Sequence, residues 1–87
     1  MISPEKLNSA LFALQALIIK AREMASQQEN YAKIADILDY TEELPRLIAS
    51  KEDNTNLFRD ILVEIAEKHN SFYALQKFDL HPVPEKW

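Results

Sequence analysis

At 87 residues, 47% apolar and 28% charged, with a net charge of −4, the chain has the composition of one small folded domain rather than of a disordered segment. It holds neither cysteine nor glycine. Disulfide frameworks, thiolate metal sites and cysteine nucleophiles are therefore excluded, and phosphate loops, dinucleotide fingerprints and EF-hand loops lose the residue on which they turn. The ten lysines and arginines form no basic stripe, which argues against nucleic acid as a partner.

Ser3, Pro4 and Glu5 read as an N-cap, a proline at the first helical position and an acid at the positive end of the helix dipole, so a first helix is expected from there to about Ser26. Its main seam is Leu7, Leu11, Leu14, Ile18, Ala21 and Ala25, spaced four, three, four, three, four, widened by Ala10, Ala13, Leu17 and Met24. The apolar run at residues 10–19 follows Lys6 like a signal peptide. Glu5 spoils the basic leader, no small-residue cleavage site follows, and the run falls short of the roughly 20 residues that span a bilayer. It belongs to the fold, no membrane partner is expected, and the expected compartment is the cytoplasm.

The polar SQQEN stretch leads to a second helix with Tyr31, Ile34, Ile37, Leu38, Thr41, Leu44 and Ile48 on one face. Pro45 lies inside this pattern, removes a backbone bond and crowds the Thr41 carbonyl, so a kink or a restart capped by Thr41 is expected. SKEDNTN, residues 50–56, offers Asp53, Asn54 and Thr55 as alternative caps for a third helix whose core face is Phe58, Ile61, Leu62, Ile65 and His69. Ser71 can cap a short fourth helix carrying Phe72, Leu75 and Phe78, although FYAL could instead be extended. Without glycine, helix exits fall to asparagine, and Asn30, Asn54 and Asn70 stand in or beside the three breaks. HPVPEKW, residues 81–87, reads as an extended tail after a single domain at 1–80. The expected fold is all-α: a small antiparallel bundle of three longer helices and a short C-terminal one.

On a helical wheel Phe12, Ala16 and Ile19 fall opposite the main seam of the first helix. In a bundle this small every helix keeps one side toward solvent, so a second apolar face calls for cover. Helix 4 and the tail could supply it. A second copy of the chain is favoured instead, because twofold dimers are the commonest oligomers, and Phe12, Ala16 and Ile19 are the expected homodimer interface.

Asp36, Asp39 and Glu43 form an acidic stripe on helix 2, and Asp60, Glu64 and Glu67 form another on helix 3. These suit a solvated face that receives a basic protein partner. Carboxylates at such spacings could also hold a divalent metal, making a small metal-dependent enzyme with its site between helices or subunits the rival reading. Di-metal bundle sites, however, project inward and use Glu-x-x-His motifs, which the chain lacks. No cofactor is expected. His69 reads as a structural histidine donating to a carbonyl, since Glu67 projects away from it and no hydroxyl stands at a spacing that suggests a triad.

Overall fold

The computed structural model describes residues 2–80, the side chain of Leu80 excepted; the tail expected over 81–87 lies outside them. A 3-10 turn at Pro4–Lys6 leads into α1 (Leu7–Ser26), followed by α2 (Tyr31–Ala49), α3 (Thr55–His69) and α4 (Tyr73–Leu80). Among the described residues every regular element is helical, and the C-terminal FYAL stretch that could have been extended opens α4. α1 packs against α2 and α4, and α3 packs against the same two. The four helices thus close a ring around one core.

Local chemistry sets the helix ends. Ser3 precedes the 3-10 turn, but its hydroxyl bonds Glu5 Oε1 at 2.9 Å instead of capping, while its backbone N–H donates to Thr55 Oγ1 at 2.8 Å. The chain start is thereby tied to the start of α3. Asn30 caps the entry of α2 by accepting from Ala32 N–H at 2.7 Å, so it begins a helix where an exit was expected. The left-handed residue after α1 is Gln28, and after α3 it is Asn70, at φ 56° and 49°. Before α3, Asp53 Oδ1 accepts from both the backbone and the hydroxyl of Thr55, while Asn54 reaches back to the Leu47 carbonyl.

No restart occurs at Pro45. α2 runs unbroken through it, and the Thr41 hydroxyl donates to the Leu38 carbonyl at 2.6 Å rather than capping a new helix. Pro45 is exposed, so the bond it removes lies where water can replace it. The buried face of α2 is also rotated from the expected one. Ile37 and Leu44 are buried, with Ile34, Tyr40, Leu47 and Ile48 packed beside them, whereas Tyr31 and Leu38 stay exposed.

The core centres on Phe58 of α3 and Phe78 of α4, both fully buried with ring centroids 5.3 Å apart. Ile2, Leu17, Met24, Ile37, Leu44, Leu62 and Ile65 pack around them with the buried alanines of α1 and α4. Lys6 closes one end: its ammonium donates to the Phe78 carbonyl at 2.7 Å and lies 4.9 Å from the ring centroid, a cation at the negative end of α4. Arg59 and Asp79 join α3 to α4 through paired bonds of 2.9 and 2.7 Å.

The buried arc of α1 keeps Ala21 and the expected flank of Ala10, Ala13, Leu17 and Met24, adds Ala16, and leaves much of the leucine row outside. In that row Leu11 and Ile18 remain 50% and 47% exposed, and Leu7 and Leu14 are half-buried. The reason is size. Two helices share one side of α1, and alanines let both backbones approach where a row of leucines would hold them off. Of the residues expected to face a partner, Ala16 is covered within the chain, Phe12 is half-buried, and Ile19 alone stays open at 41%.

Candidate functional site: the acidic groove between α2 and α3

α2 and α3 meet through side chains that the sequence alone did not bring together. Asp36 leaves the edge of the buried face of α2 and meets the last turn of α3, where its Oδ2 lies 2.6 Å from His69 Nε2 and 2.9 Å from Lys68 Nζ. The carboxylate accepts, so Nε2 carries the hydrogen. One turn along, the Tyr40 hydroxyl donates to Glu64 Oε2 at 2.5 Å, and Lys68 Nζ sits 5.6 Å from the centroid of the Tyr40 ring. The partner of His69 is a carboxylate and not the expected carbonyl. Asp36 does not face away into water; it braces the joint.

The electrostatics follow from these contacts. The hydrogen bond from His69, then that from Lys68, holds the Asp36 carboxyl below the ordinary carboxylate range, and donation to Glu64 followed by burial pushes the Tyr40 phenol up. Lys68 is raised by its bond to Asp36. A carboxyl depressed in the folded state contributes stability above its unfolded pKa, near 4, which is lost as pH falls through the folded value. Asp53, bonded by Thr55, and Asp79, bonded by Arg59, act in the same direction. Thermal melts across pH 7 to 2 should show stability declining below about pH 4, and the gap between wild type and Asp36→Asn should narrow there. A gap that stays constant with pH would mean that the Asp36 charge contributes nothing.

Beside this brace runs a groove of about 350 Å³, lined by Asp36, Asp39, Tyr40, Glu43, Ile61 and Glu64. Asp60, Val63, Glu64, Glu67 and Lys68 line an open depression on α3. Glu64 belongs to both, so the two expected stripes are neighbours on one surface. Among the described residues, the side chains of Asp39, Glu43, Asp60 and Glu67 take part in no hydrogen bond or ion pair. Tyr40 and Ile61 give the groove an apolar floor beneath this unneutralised charge.

Among the described residues no three histidine, aspartate or glutamate side chains gather to hold a metal ion. His69 and Asp36 resemble the base and orienter of a catalytic dyad, and among the described residues the hydrogen bond recorded for the histidine ring is the one to Asp36. No helix among the described residues is long and apolar enough to cross a membrane. Comparison with known proteins gives no match among family models, curated proteins or solved structures.

Sequence reasoning named all six acids but missed Tyr40, Lys68 and the Asp36–His69 pair. The carboxylate partner of His69 lies on another helix, 33 positions earlier, and not on α3 itself. The available signal was positional: Asp36 and His69 each sit at the edge of an apolar face, where side chains of adjoining helices meet.

Proposed function

We propose that this chain is a non-enzymatic protein–protein interaction module in which the groove between α2 and α3 receives a basic segment of a partner protein. The same reading takes the molecule as an antiparallel bundle that forms a homodimer through α1. The observation that carries it is the convergence of Asp36, Asp39, Glu43 and Glu64 on one groove, beside which Lys68 is already committed to Asp36. A lysine or arginine side chain laid there would place its methylene stem on Tyr40 and Ile61 and its charge among carboxylates. Such complementarity steers encounter and selects partners more than it adds affinity.

The test is titration calorimetry with an amphipathic lysine- and arginine-rich peptide, and with a length-matched acidic peptide as control. The basic peptide should bind at low ionic strength and weaken as salt is added, because exposed charges are screened beyond about 10 Å at 0.1 M. Asp39→Asn with Glu43→Gln should lower affinity about tenfold, equivalent to about 1.4 kcal/mol. Equal binding by wild type and double variant would remove the groove from recognition.

A further inference from the structure

We infer that α1 pairs with α1 of a second copy in antiparallel order, through Leu7, Leu11, Leu14, Ile18 and Ala25, the outward part of the row that also holds the buried Ala21. This deepens the proposed function, resting on its claim of a second copy and naming the face and direction of the contact.

Three observations lead there. The row repeats at alternating intervals of four and three, the 3.5-residue period of a helix seam that faces another helix along its whole length. Within the chain that seam is covered only along one edge, where Ala21 is buried and Leu7 and Leu14 are half-buried. Leu11 and Ile18 are about half exposed, Ala25 is exposed, and α2 and α4 lie on the alanine side instead. The row runs about 27 Å along α1 at 1.5 Å per residue.

Side-chain size selects the direction. Antiparallel pairing sets Leu7 against Ala25 of the second copy, Leu11 against the shallow position above Ala21, and Leu14 beside Ile18, each pairing occurring twice about a twofold axis. Large thus meets small at both ends, the condition for interdigitated layers. Parallel pairing would put leucine on leucine at one end and alanine on alanine at the other. Charge points the same way. Arg22 borders the row and forms no ion pair among the described residues; antiparallel order separates the two Arg22 residues by about 18 Å along the axis, whereas parallel order sets them at one height. The contact is one helix wide, at the small end for specific interfaces, so the pairing should be reversible at micromolar concentration.

Sedimentation and pulsed electron resonance on the full chain test both parts. Wild type should shift from monomer to dimer between about 1 and 300 μM, and Leu11→Asp should remain monomeric with unchanged helical circular dichroism; Ile18→Lys serves if the first variant folds poorly. A nitroxide on Ser26→Cys, at the exposed end of α1, should report a spin separation of about 30 Å or more, since antiparallel order offsets the two sites by roughly 20 residues. A separation of about 10 to 15 Å would overturn the antiparallel order. A dimer that survives both substitutions would move the contact off this row while leaving self-association intact. A wild type that stays monomeric would reject the inference together with the dimer of the proposed function. If it is monomeric and Leu11→Asp also shifts the emission of Trp87, the only tryptophan, the row is covered by the chain's own C-terminal segment.

Discussion

Phe78→Ala should cost the fold about 3 to 5 kcal/mol, the range for truncating a buried phenylalanine. At the usual 0.05 to 0.15 kcal/mol per residue a domain of this length holds about 4 to 13 kcal/mol in total, so this one change removes a large share. Phe78 is 1% exposed and stacks on Phe58. The ring joins α4 to α3 and sits under the ammonium of Lys6, so its loss opens a cavity and also removes the surface on which the chain start rests. For a domain this small the corresponding fall in melting temperature exceeds about 12 °C. Phe78→Leu, which keeps most of the volume, should lose far less, about 1 to 2 kcal/mol. Calorimetric melts of the two variants would decide it. A fall of only a few degrees for Phe78→Ala would mean that α4 is an accessory to the core rather than one of its walls.

The same pair shows what the sequence could reveal. Phe58, Leu62 and Ile65 recur at helical spacing within a polar segment, and all three are buried, because α3 has a single apolar face and only one way to turn it. α1 has two. Hydrophobicity alone centres the core face on its leucine row, yet the buried arc lies to one side of that row, taking in Ala10, Ala13 and Ala16 beside the row's own Ala21. Where two helices must lie against a third, residue volume decides, and four alanines along one arc were the visible sign of close approach. The acidic groove was legible in parts: six carboxylates could be assigned to the outer faces of two helices, but not the rotation that brings Glu64 against Tyr40 and Asp36 against His69. That rotation depends on how α2 and α3 settle against α1 and α4, which no pattern within either helix records.

α2 carries its own test of how far tertiary packing overrides local preference. Proline in a helix interior is about 3 kcal/mol less favourable than alanine, through the missing N–H and the crowding of the carbonyl four residues before it. Here the helix nonetheless continues from Tyr31 to Ala49, held by Ile37 and Leu44 on one side of Pro45 and by Leu47 and Ile48 on the other. Pro45→Ala should restore a hydrogen bond to the Thr41 carbonyl. Against this, alanine frees the unfolded chain that proline stiffens, worth about 0.4 to 1 kcal/mol in the other direction. The net expectation is stabilisation by about 2 to 2.6 kcal/mol, seen as a melting temperature higher by about 8 °C or more. Amide exchange at position 45 should then show protection comparable with its helical neighbours. A lower melting temperature would reverse the interpretation: the shape imposed by proline would then be what lets the two ends of α2 pack together. In that case Asp36, Asp39, Tyr40 and Glu43, all within the nine positions before it, would owe their common groove to Pro45, and the basic peptide should bind Pro45→Ala more weakly than wild type.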